Sequence, residues 1–79
     1  MATQAEEIVA GLGGIDNIIG STMQAKAVTL VTEIKNANLV DEAALEAAGV
    51  IQILRGDNQI MLTLDNTLAG PIAAEIRAM

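Results

Sequence analysis

The stretch VIQILRGDNQIMLTL, residues 50–64, constrains the fold of this chain more than any other. Two apolar runs flank Arg55-Gly56-Asp57-Asn58, a turn-forming tetrapeptide. So short a connection joins antiparallel neighbours, because parallel strands need a crossover of about a dozen residues or more. In the second run Ile60, Leu62 and Leu64 alternate, which turns one strand face toward a core. The chain is therefore expected to contain an antiparallel hairpin that other elements must cover.

Those elements can be read on either side. Thr3-Gln4-Ala5-Glu6 has the form of a capping box, and Ala5, Ile8, Val9 and Leu12 then share one helical face. Gly13-Gly14 ends this helix, since glycine takes the left-handed conformation without steric cost. With no strand before it, GLGG is a helix end and not a phosphate-binding loop. Residues 18–23 form a short strand. Residues 27–34 form another, with Val28, Leu30 and Ile34 on one face and Ala27, Thr29, Val31 and Glu33 on the other. KNAN, 35–38, is turn chemistry. Leu39 to Ala48 reads as the second helix, with Asp41 as N-cap, Ala44, Leu45 and Ala48 inward, Glu42 and Glu46 outward, and Gly49 closing it. Gly70-Pro71 opens a third helix with Pro at its first position. Its stripe is Ile72, Ala73, Ile76 and Met79, and Arg77 sits near the negative end of the helix dipole. The expected class is α+β. It is an α/β sandwich of order αββαββα in one domain, residues 1–79, with a four-stranded antiparallel sheet covered on one face by three helices.

Composition narrows the chemistry. Apolar residues make up 52% of the chain with no Phe, Trp or Tyr, so the core is aliphatic and aromatic stacking on bases is absent. No cysteine and no histidine are present, which removes thiolate chemistry and the commonest neutral metal ligand. Ten acidic residues against four basic ones give a net charge of −6, which disfavours nucleic acid and anionic lipid as partners. No apolar run is long enough to span a bilayer, and MATQAEEI is acidic where a signal peptide is basic. A cytoplasmic location without membrane insertion is expected.

AEEIVAGLGGIDNI (5–18), TEI (32–34), VDEAALEAAGV (40–50) and GPIAAEI (70–76) together resemble a known family. They are similar to the B-component (EIIB) domains of glucose and N-acetylglucosamine permeases in the bacterial sugar phosphotransferase system. The small, separately encoded actinobacterial versions match most closely. The resemblance implies a four-stranded antiparallel sheet under three helices. It also implies a phosphoryl carrier: a cysteine at the end of the first strand, in the pattern Cys-x-Thr-Arg-Leu-Arg, relays phosphate from an A component to sugar held by a C component. Counting back from TEI, the cysteine falls on Lys26, the threonine on Val28, and the arginines on Thr29 and Val31, so that only Leu30 agrees. Counting forward from DNI, the cysteine falls on Gln24, because the segment is about two residues longer than the family pattern.

The resemblance thus marks Gln24, Lys26, Val28, Thr29 and Val31 as the region equivalent to the phosphorylation site, with no catalytic residue, metal or cofactor assigned. The expected function is a non-catalytic scaffold of this fold, diverged or engineered, and not an enzyme. A regulatory or docking module and a phosphocarrier with another acceptor are the alternatives. Arg55-Gly56-Asp57 spells an integrin-recognition tripeptide but is equally plain turn chemistry. Ala27, Val31, Leu54 and Met61 are expected on the open sheet face, available for self-association or a protein partner.

Overall fold

The protein is described by a computed structural model that covers residues 3–79. Helix α1 (Gln4–Gly11) starts with the expected capping box. Thr3 Oγ1 accepts from the Glu6 amide and Glu6 Oε1 accepts from the Thr3 amide, both at 3.2 Å. Ala5, Ile8, Val9 and Leu12 are all buried. Gly13 has φ of 101°, and a Cβ there would come within 2.7 Å of both Asn17 and Leu39. Conformation and space both require glycine at this helix end.

The remaining elements are β1 (Ile18–Lys26), β2 (Thr29–Ile34), α2 (Glu42–Ala47), β3 (Val50–Arg55), β4 (Gln59–Leu64) and α3 (Ala69–Arg77). They form a four-stranded sheet of order β1-β2-β4-β3, with every neighbour pair antiparallel. Alternation sends Leu30 and Ile34 of β2 and Ile60, Leu62 and Leu64 of β4 to the helix side, where all are buried. There α3 packs on β1 and β2, α2 packs on β3, and α1 joins the two helices. The architecture is the α+β sandwich expected from the sequence.

Four local boundaries differ from expectation, each for a physical reason. Helix α2 starts at Glu42, because Asp41 Oδ1 caps the Ala44 amide at 3.2 Å; Leu39 belongs to a 3₁₀ turn and is 53% exposed. Helix α3 starts at Ala69, so Pro71 is its third residue; an amide in the first turn has no intrahelical partner, so proline fits there too. Met79 lies beyond the helix and is exposed, outside the buried stripe of Ile72, Ala73 and Ile76. The largest change is in the first hairpin. Strand β1 runs on to Lys26, which pairs with Thr29, so Ala27 and Val28 form a tight turn instead of beginning the next strand. The Val28 carbonyl accepts from the Leu64 amide at 2.7 Å, which ties the turn to β4.

One buried polar side chain holds the base of this hairpin. Asn17 donates from Nδ2 to the carbonyls of Leu12 (2.7 Å) and Asn36 (3.0 Å) and accepts at Oδ1 from the Asn36 amide (2.8 Å). Its backbone carbonyl accepts from Lys35 at 2.9 Å. The end of α1, the start of β1 and the exit of β2 therefore meet at one amide, itself buried and fully bonded.

Candidate functional site

The site begins with an irregularity in β1. Ile18 and Ile19 pair with Ile34 and Glu33, but the next pairs are Gln24 with Val31, Ala25 with Leu30 and Lys26 with Thr29. Residues 20–23 therefore stand opposite Thr32 alone, as a wide bulge. Side chains satisfy three of the backbone groups at the bulge. Thr22 Oγ1 donates to the Ile19 carbonyl at 2.7 Å and accepts from the Glu33 amide at 3.1 Å. Arg77 Nη2, from the end of α3, donates to the Met23 carbonyl at 2.8 Å. The Met23 side chain fills the core.

Beyond the bulge, regular pairing resumes and sets the open face in rows. One row runs Gln24, Val31, Met61, Leu54 across all four strands, and the next runs Lys26, Thr29, Thr63, Gln52. The bulge brings the positions given by the two counts to the same end of the strand. Gln24 and Lys26 lie two residues apart on one face at the end of β1, as direct neighbours of Val31 and Thr29.

Gln24, Ala25, Lys26, Thr29, Val31 and Met61 line a shallow depression of about 470 Å³. A smaller one of about 220 Å³ adjoins it, shares Val31 and Met61, and extends to Leu54, Arg55 and Gln59. The larger depression brings together Gln24, Lys26, Thr29 and Val31 of the five residues marked from sequence. Val28 lies outside it, held by β4. Val31, Met61 and Leu54 share the open face as expected, whereas Ala27 is exposed in the turn and lines neither depression. One ammonium, one hydroxyl and one amide converge here with no carboxylate in the lining, beside an apolar row. The combination suits contact with another protein surface that presents anionic and apolar groups together.

The other candidates separate from this site. Arg55 donates from Nη1 to Glu42 Oε2 at 3.0 Å and from Nη2 to the Ala37 carbonyl, so the arginine of the RGD tripeptide is drawn to the helix side. Glu42 is taken by that pair and Glu46 is exposed one turn on. Among the described residues no helix is long and apolar enough to cross a membrane. Sequence reasoning missed Asn17, Thr22 and Arg77. Their roles rest on bonds to backbone groups of other elements, the Asn36 amide, the Glu33 amide and the Met23 carbonyl, and local sequence carries no signal for these.

The chain has relatives among known proteins. The chain is 47% identical over 79 residues to the N-acetylglucosamine-specific EIIB component of a phosphotransferase system in Streptomyces coelicolor, an alignment spanning 100% of this chain and 99% of the relative. It is 35% identical over 69 residues to the arbutin-, cellobiose- and salicin-specific EIIBC component of Escherichia coli, covering 86% of this chain and 14% of that protein. One domain of a phosphotransferase-system IIabc component from Clostridium difficile superposes with a TM-score of 0.78 at 22% identity, over 96% of this chain and 78% of that one, and shares the fold. No family model matches the chain. The expectation that the chain is not an enzyme is overturned by these relatives, because EIIB components are phosphotransferase domains.

Proposed function

This chain belongs to the EIIB components of the bacterial sugar phosphotransferase systems, and on that premise we propose that it serves as the B component of a system of the N-acetylglucosamine or glucose type. Its working end is the β1–β2 end of the open sheet face, where it meets the A and C components in the cytoplasm. The observation that carries this reading is a coincidence of position. The two residues onto which the resemblance counts the phosphoacceptor, Gln24 and Lys26, both line the larger depression.

The reading also sets what chemistry this end can hold. The sequence contains no cysteine, so a phosphoryl group received here would rest on another atom. Lys26 offers an amine and Thr29 a hydroxyl, the two nucleophile types in the lining. The neighbouring row of Val31, Met61 and Leu54 supplies apolar area for docking, with Lys26 and Gln24 at its rim.

Calorimetry with a glucose-type A component tests the docking. Binding is expected for this chain and is expected to be lost with Val31→Lys, which places a charge in the apolar row. Equal binding by both forms would remove the open face from the reading. The same components, supplied with phosphoenolpyruvate and the general phosphotransferase proteins, report by intact mass. A gain of one phosphoryl group, mapped by peptide sequencing, identifies the accepting side chain.

A further inference from the structure

The excess length of β1 can be stored in two places. In the structure it is stored inside the strand, at residues 20–23, and the hairpin ends in the short turn at Ala27 and Val28. If the register of Ile19 with Glu33 simply continued, Met23 would pair with Thr29 and residues 24–28 would become the loop. The two arrangements differ by an odd number of residues, so β1 would also turn over. Gly20 and Thr22 would point to the helices, and Met23, now 3% exposed, would leave the core.

Three contacts select the stored form. Met23 is buried, Thr22 bridges the Ile19 carbonyl and the Glu33 amide, and Arg77 reaches from α3 to the Met23 carbonyl. Opposing them is the turn itself, where Ala27 adopts φ of 54°, a conformation unfavourable for a side chain bearing Cβ. The observed tip therefore needs support from outside the turn.

We propose that Thr22 and Arg77 are positioning residues, which clip the extra length of β1 into a bulge and so hold Lys26 directly across from Thr29. The functional consequence rests on the reading of this end as the docking surface. With the clip released, Gln24 and Lys26 sit on a flexible loop instead of on a rigid row beside Val31.

Nuclear magnetic resonance of the full chain tests the clip, with Arg77→Met, Thr22→Val and the two combined. Cross-strand proton contacts between Lys26 and Thr29 are expected to weaken in each single variant and vanish in the double variant. The amides of residues 24–28 are expected to become mobile on the nanosecond scale. Arg77→Lys, which can still donate to the Met23 carbonyl, is expected to keep the contacts. Affinity for the A component should fall about fivefold or more in the double variant, from the loss of the three ordering bonds. Intact Lys26–Thr29 contacts and a rigid tip in the double variant would overturn the proposal. Lost contacts with unchanged affinity would confirm the clip and overturn the docking reading instead.

Discussion

The two hairpins are built from similar lengths of chain and handle surplus residues differently. The second, β3–β4, has one register shift, between Val50 and Gln52, and leaves Ile51 to solvent at 67% exposure. The first, β1–β2, carries the longer excess of residues 20–23, yet keeps Met23 in the core and bonds the Ile19 carbonyl, the Glu33 amide and the Met23 carbonyl to side chains. The second tip uses turn chemistry, Gly56-Asp57-Asn58, and closes with the Gly56 amide on the Gln59 carbonyl at 2.8 Å. The first tip has no such residues, and its conformation is imposed by the bulge behind it and by the bond from β4 to Val28. One hairpin is thus specified by its own sequence and the other by its surroundings. The second kind lets the end of a strand keep a functional placement while the strand behind it changes length.

The strongest way to test this contrast is to remove what both hairpins share. Leu62 pairs with Leu30 on one side and Ile53 on the other and is fully buried. Leu62→Ala should cost about 3 kcal/mol, with both hairpins lost in a single urea transition. Asn17→Ala acts on the first hairpin alone. It leaves the buried carbonyl of Leu12 and the partly buried backbone groups of Asn36 without their partner and should cost about 2 kcal/mol. Amide exchange at Asn36 should accelerate while that at Ile60 and Leu62 follows only the global loss. Ala27→Gly relieves the positive φ of the first tip and should raise stability by about 0.5 kcal/mol in thermal melts. Gly56→Ala in the second tip meets nothing closer than 3.7 Å and should leave the melt unchanged. The smallest effect is expected at Glu42→Gln. The Arg55–Glu42 pair is 36% and 51% exposed, so its loss should cost less than about 0.5 kcal/mol and vanish in high salt.

The same contrast explains what the sequence displayed. Helix α1, the second hairpin and the inward residues of β2 and β4 were legible because capping, glycine stops and period-two burial are local signals. The first tip was not, because Ala27-Val28 lacks turn residues and continues the alternation of the strand after it. Positive φ at an alanine cannot be read from local preference, since the contacts that hold it include Leu64 and Arg77, far along the chain. For the candidate site, the matched blocks around it marked a region, and four of its five marked residues, Gln24, Lys26, Thr29 and Val31, line one depression. Its register is divided between Gln24 and Lys26 because the extra residues of β1 are stored in a bulge, which local sequence does not mark.

The central claim is that this B component meets its partners through the β1–β2 end of the open face. Titrating the isotopically labelled chain with a glucose-type A component, and following every amide, tests it most directly. The account expects shifts concentrated at Gln24, Lys26, Thr29, Val31 and Met61, with the amides of α1 unmoved. Shifts gathered on α1 and α3, with the open face silent, would contradict it.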